Sequence, residues 1–156
     1  MLDIEQVRLF FLKAMAEGWA RGAEEIRLVS LNGFRAIPFQ EGYLTLLDYY
    51  YVHPVSAKSV GTTTIWYDGA PVWSMNYGGF YRKEAIVCLK HALLKTYREP
   101  VFIGGRGPVS HMEGKLFYSN KVIANDFANF RGREEIVDST LNTKLGYHDY
   151  WGMSLI

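Results

Sequence analysis

Apolar positions first recur at helical spacing. Ile4, Val7, Phe11, Met15 and Trp19 stand three or four residues apart, while Asp3, Arg8, Lys13 and Glu17 fall mainly elsewhere. This predicts an amphipathic helix over Ile4 to Trp19, packed on a partner. Gly18 and Gly22 mark its stop. The stretch through Asn32-Gly33, Pro38 and Glu41-Gly42 has no clear period and reads as a loop. From Tyr43 to His53 the run YLTLLDYYYVH, closed by Pro54, has the aromatic and β-branched character of a strand. Neither of its alternate sets is polar, which predicts cover on both faces. Asp68-Gly69 accepts the positive φ angles of a tight turn and separates Thr62 to Tyr67 from Val72 to Phe80, so a β-hairpin is predicted there. In its second arm Trp73, Met75 and Tyr77 share one face, and their size points that face at the core.

A second helix is predicted over Lys83 to Tyr97, with Ala85, Ile86, Leu89, Leu93 and Tyr97 as its apolar stripe and Cys88 beside it. Beyond Pro100 come a short apolar piece, Val101 to Ile103, and the run Gly104 to Pro108, which reads as a mobile connection. Strand patterns return at Lys115 to Tyr118, within Val122 to Phe130, at Glu135 to Val137 and from Tyr147 to Leu155. The spacing of Gly61, Thr63 and Ile65 recurs as Gly132, Glu134 and Ile136, and Tyr77-Gly78-Gly79 resembles Tyr150-Trp151-Gly152. That echo suggests two related strand-hairpin lobes flanking the second helix, in one sheet or in two. The expected fold is a single α+β domain over residues 1–156, an antiparallel sheet of about six or seven strands with two helices on one face.

Composition narrows the function classes. Seventeen basic and sixteen acidic residues leave a net charge of +1, too little field to draw the chain to nucleic acid, and no direct nucleic-acid binding is expected. Apolar runs such as Leu9 to Leu12 and Tyr49 to Val52 fall short of the ~20 residues of a membrane span, so no membrane association is expected. The start carries Asp3 and Glu5 rather than the basic, then apolar, pattern of a secretory signal. One cysteine cannot form an internal disulfide, and a cytoplasmic setting follows. Eleven Tyr, nine Phe and four Trp supply large apolar surfaces that suit a core and a binding cleft equally.

Candidate chemistry is sparse. His53, His91, His111 and His148 show no pair at metal-ligand spacing, so neither a metal site nor a cofactor is expected. His148-Asp149 is discounted as a unit, because neighbours on a strand point to opposite faces. Cys88, in mid-helix among apolar residues, reads as packing. Ser110 lacks a nucleophile-elbow setting. Gly104-Gly105-Arg106-Gly107 lacks the residues of a phosphate loop. Asp48 interrupts an apolar strand and must be paired or shifted in pKa. Asn76, between large aromatics, must bind a ligand or tie down the backbone.

Asp68-Gly69, Pro71-Val72-Trp73, Met75-Asn76-Tyr77 and Gly79 together resemble the run "NG-x-PVW-x-MNY-x-G" of a prokaryotic family known as domain of unknown function 5680. Phe11-Leu12 with Ala14, Gly42-Tyr43 leading to Asp48 and Tyr50, and Phe130, Gly132, Glu134 and Ile136 extend the resemblance over most of the chain. The resemblance implies a fold and occasional attachment to helix-turn-helix DNA-binding domains, with no activity. Where the family's first lobe carries Phe and Glu around its glycine, Ser59 and Thr63 stand here, and the acidic residue is kept only as Glu134 in the second lobe.

The favoured expectation is a non-enzymatic module that binds or senses a small molecule or peptide in an aromatic-lined cleft. Its ligand-binding residues would be Asp48, Tyr50, Trp73, Asn76, Tyr77 and Glu134. Two readings stand beside it: an enzyme using Asp48 and Glu134 as paired carboxylates for general acid/base chemistry, and a homo-oligomeric interaction protein joined through exposed aromatics, such as a homodimer.

Overall fold

The computed structural model describes residues 2–156. The chain runs α1 (Ile4–Glu17), β1 (Ile26–Arg27), β2 (Arg35–Glu41), β3 (Leu44–Val52), β4 (Lys58–Tyr67), β5 (Ala70–Tyr81), α2 (Ile86–Tyr97), β6 (Ser110–Glu113), β7 (Leu116–Asp126), β8 (Asn129–Asp138) and β9 (Thr143–Ser154). The nine strands among the described residues form one antiparallel sheet in the order β1-β2-β3-β4-β5-β9-β8-β7-β6. No helix among the described residues is long and apolar enough to cross a membrane.

Both predicted helices are present. Asp3 caps α1 by accepting from the Gln6 backbone N–H at 2.8 Å, and the Gln6 side chain accepts from the Asp3 N–H at 3.0 Å, satisfying two donors the first turn leaves open. A short 3-10 turn, Trp19–Arg21, replaces the helix's expected last turn. Another, Lys83–Ala85, leads into α2. The hairpin stands as predicted, with Asp68 at φ 47° and Gly69 at φ 80°, the left-handed pair that matches the twist of the flanking strands.

The sheet has nine strands instead of six or seven, because β1, β2 and β6 lie where no strand pattern was visible. In β2, Pro38 argued for a loop. The two-residue β1 pairs only with Arg35 and Ala36, so from Ile37 onward β2 is an edge where a missing N–H is harmless.

The core lies between the helices and one sheet face. Trp73 stacks between Phe127 (4.9 Å, 10°) and Phe130 (5.4 Å, 15°), with Phe11 of α1 tilted onto it at 4.8 Å. Its indole N–H donates to the Phe127 carbonyl at 2.9 Å, satisfying the one polar atom that burial would penalise. The opposite face carries no helix, and Tyr51, Val60 and Trp151 are exposed there. The expectation that β3 is covered on both faces is therefore corrected: Leu46, Asp48 and Tyr50 are buried, while the alternate set turns outward.

The internal echo is a structural repeat. At the sheet's centre Tyr77 of β5 pairs with Tyr150 of β9. Moving outward, Tyr77 faces Gly61 and Tyr150 faces Gly132, while Thr63 faces Asp48 and Glu134 faces Asn120. Each half is thus a helix followed by a four-stranded run, β2 to β5 or β6 to β9, and the halves join in one continuous sheet.

Candidate functional site

Helices α1 and α2 do not meet the sheet everywhere. A cavity of about 100 Å3 remains over the first half, between Met15, Leu89 and Leu93 on the helix side and Asp48, Tyr77 and His148 on the sheet side. Trp19, Val52 and Ala57, all partly exposed, stand at its rim. Its walls are mainly apolar, and its polar groups gather on the sheet.

Asp48 sits at the middle of β3. Its Oδ1 accepts from Thr63 Oγ1 at 2.9 Å and from the Tyr77 hydroxyl at 2.8 Å. Tyr77 reaches it by lying across Gly61, where a Cβ would strike the ring. Oδ2 has no hydrogen-bond partner among the described residues. Burial raises the Asp48 pKa above its ordinary value, against the two hydrogen bonds and the positive charge of Arg106, which lower it.

A charged network adjoins this group. Arg106, from the loop between α2 and β6, donates to Glu134 Oε1 through Nε at 3.0 Å and Nη2 at 2.5 Å. The Tyr118 hydroxyl donates to Glu134 Oε2 at 2.7 Å. Burial alone would raise the Glu134 pKa, but the Arg106 charge and hydrogen bonds from His148 and Arg106 bring it down to about 2. The Arg106 guanidinium also lies over the Tyr77 ring, 5.1 Å from its centroid. His148, opposite Gly79 in the sheet, meets Ser59 Oγ at 3.0 Å through Nε2, because Gly79 puts no side chain between them. Tyr81 stands edge-on to the His148 ring at 4.9 Å. The Tyr81 hydroxyl is buried and has no hydrogen-bond partner among the described residues.

Ser59, His148 and Glu134 lie in the sequence of a nucleophile, a base and an orienting acid, with His148 Nδ1 3.5 Å from Glu134 Oε1. The electrostatics do not serve that chemistry. Glu134 Oε1 is already held by Arg106, and burial depresses the His148 pKa; the Glu134 hydrogen bond opposes that shift and the Arg106 charge adds to it. A catalytic triad instead needs a free carboxylate to stabilise imidazolium. Ser59 lies within a strand paired on both sides with β3 and β5, not on a turn that would aim its own backbone amide at an oxyanion.

The repeat shows what makes the first half different. Tyr150 lies across Gly132 as Tyr77 lies across Gly61, and its hydroxyl donates to Asn120 Oδ1 at 2.6 Å, as Tyr77 does to Asp48. In the second half, however, the loop before β6 fills the space above the sheet. Asn120 Nδ2 donates to the carbonyls of Ile103 (3.2 Å) and Gly107 (2.8 Å). Gly104 and Gly107 allow this, since a Cβ at either would meet a tyrosine hydroxyl, that of Tyr150 or Tyr118. The run from Gly104 to Gly107 is buried, and the Tyr97 hydroxyl donates to Gly105 O at 2.9 Å. It is therefore a packed plug, correcting the expectation of a mobile connection, and no counterpart fills the first half.

Of the six residues expected to bind a ligand, Asp48, Tyr50 and Tyr77 line the cavity. Glu134 lies behind Arg106, fully buried. Trp73 belongs to the core instead, and Asn76 faces the opposite side of the sheet, accepting from Thr62 Oγ1 at 2.9 Å. Neither Trp73 nor Asn76 lines this cavity. Asp48 and Glu134 share a face but are four strand spacings apart, roughly 19 Å along the sheet, with Arg106 and Tyr77 between them. Sequence reasoning missed Arg106, His148, Tyr81 and Ser59. The signal available was period-two spacing, which puts Tyr77, Tyr81 and Gly79 on the face of Trp73 and His148 on that of Tyr150.

Comparison with curated proteins and with solved structures gives no match. Residues 51–153, from the end of β3 through most of β9, match the model of the family described as Domain of unknown function (DUF5680). That span is about two thirds of the sequence and includes the plug and most of the cavity floor, and the chain belongs to this family.

Proposed function

We propose that the chain is a non-enzymatic module that takes a small, largely apolar molecule bearing one hydrogen-bonding head into the cavity over its first half. The observation that carries this is the buried hydroxyl of Tyr81, a residue of the cavity wall, which has no hydrogen-bond partner among the described residues. An unpaired buried hydroxyl costs about 1–3 kcal/mol, a penalty that a ligand's polar atom removes. The open Oδ2 of Asp48 is the second point of attachment. Asn120 supports the same view, because in the other half an amide suffices to accept the tyrosine bond. Holding the Tyr77 hydroxyl does not by itself require a carboxylate at position 48. The cavity's small volume favours a compact molecule over a peptide.

The test is calorimetric titration of the purified chain with phenol, indole and cyclohexylamine, which share an apolar body and one polar head. At least one should bind, Tyr81→Phe should weaken it, and Asp48→Asn should abolish it while leaving the protein folded. Burial raises the folded Asp48 pKa, so its favourable contribution exists below its ordinary 3.8 and is lost as pH rises through the folded value. Asp48→Asn should therefore raise the urea midpoint at neutral pH. Equal binding by the parent and Asp48→Asn would reject the assignment.

A further inference from the structure

Away from the cavity, a second group of side chains has the composition of a metal centre. Cys88 of α2 and His111 and Glu113 of β6 present one ligand atom each, all within 4.8 Å of one another. His111 Nε2 lies 3.6 Å from Glu113 Oε2. With bond lengths of about 2.0–2.3 Å, two ligands of a tetrahedral zinc ion are roughly 3.3–3.6 Å apart, so this pair already has the spacing of two coordination sites. His91, one turn after Cys88 on α2, contacts the same Glu113 Oε2 through Nδ1 at 2.8 Å.

Two further observations separate this group from an ordinary surface ion pair. The His111 Nε2 atom is buried with no hydrogen-bond partner among the described residues, and a nitrogen so placed needs a bonding group. The Cys88 side chain is buried, with its sulfur directed at the strand rather than into an all-apolar layer. The imidazole and carboxylate ends of the cluster are partly exposed, which provides an entry path. The pattern was illegible along the chain because its two halves, Cys88-x-x-His91 and His111-x-Glu113, belong to a helix and an edge strand that meet only in the fold.

We propose that Cys88, His111 and Glu113 bind one zinc-class divalent cation, with His91 orienting Glu113 from behind. Sulfur, imidazole and carboxylate together favour a borderline metal such as Zn2+ over Mg2+ or Ca2+, which take oxygen ligands. On binding, the Cys88 thiol loses its proton to solvent and the thiolate sulfur bonds the metal, while His111 coordinates as the neutral imidazole through Nε2. Water takes the fourth position. The ion joins α2 to the outermost strand and tightens the second half, where the plug is held.

The full chain, stripped with a chelator and shown folded by circular dichroism, is titrated with Zn2+, with Co2+ and, as a control, with Mg2+. One equivalent of Zn2+ should bind and raise the melting temperature, and Mg2+ should do neither. The Co2+ complex should show a thiolate-to-cobalt charge-transfer band. Cys88→Ala should remove that band, His111→Ala should abolish stoichiometric uptake, and His91→Ala should weaken binding about 10–100-fold, as loss of a ligand's outer partner does. If Cys88→Ala fails to fold, the more exposed His111 decides. Absence of one-equivalent Zn2+ uptake, a Co2+ complex without the thiolate band, or unchanged affinity in His111→Ala overturns the proposal.

Discussion

Glu134 is a carboxylate with no exposure to solvent. Its charge is tolerated because Arg106 and Tyr118 occupy both of its oxygens. Removing one member of such a pair leaves the other charge uncompensated in a medium that cannot solvate it, a loss of about 3–5 kcal/mol. Against a total stability of roughly 5–15 kcal/mol that is a large fraction. Glu134→Gln should accordingly lower stability by about 3–5 kcal/mol, read from urea denaturation. Arg106→Met in the Glu134→Gln background should recover much of the loss, since no unpaired charge is left. If the two changes add without coupling, the buried pair is not what holds the plug in place.

At the level of elements, the hairpin arms place two glycines beneath two tyrosines. Gly61 leaves room for the Tyr77 ring, and through it for the bond to Asp48. Gly61→Ala puts a methyl group where the ring lies, and overpacking of this kind costs about 1–3 kcal/mol. The variant should be destabilised by that amount and should also lose the ligand binding proposed for the cavity, because Tyr77 is displaced from Asp48. Gly132→Ala should cost more, since its Cβ meets both the Tyr150 hydroxyl and the Lys121 carbonyl. Thermal melts of the two variants, side by side, measure the difference. The helices and the hairpin were legible in the sequence because their signals are local: apolar spacing, a glycine stop and an Asp-Gly turn. Strands β1, β2 and β6 were not, because each is defined by its partner rather than by its own pattern.

For the whole molecule, one sheet and one core join the repeats. Trp73 of the first half stacks on Phe127 and Phe130 of the second, so neither half keeps its core alone. Unfolding should be a single transition, with tryptophan fluorescence and far-ultraviolet circular dichroism coinciding. The buried network also sets its acid response. The folded His148 pKa lies below its ordinary 6.5 and that of Glu134 is about 2, below its ordinary 4.5. In both cases the unfolded chain binds more protons, so each group's contribution is complete above its ordinary value and is lost as pH falls. Asp48 acts in the opposite sense. The urea midpoint should fall from about pH 6.5 downward and again between about pH 4.5 and 2, more steeply in Asp48→Asn than in the parent. A midpoint that is flat over this range would show that the network is not coupled to folding.

Alternation, helical spacing and one turn dipeptide determined by themselves that two helices would pack on an antiparallel sheet, and they exposed the repeat through its glycines and tyrosines. Asp48 was legible as a candidate because a carboxylate in an apolar strand must find partners wherever it lies, and Tyr77 is one of the partners it finds. Only the tertiary structure decided which half stays open. Both halves carry the Gly–Tyr device, and the difference lies in a loop that folds back over one of them and turns Arg106 inward onto Glu134. It likewise decided that Trp73 serves the core, that His148 reaches Ser59 across Gly79, and that Cys88 meets His111. Those pairings span from tens to nearly ninety residues of chain, and a spacing rule describes only neighbours on one element.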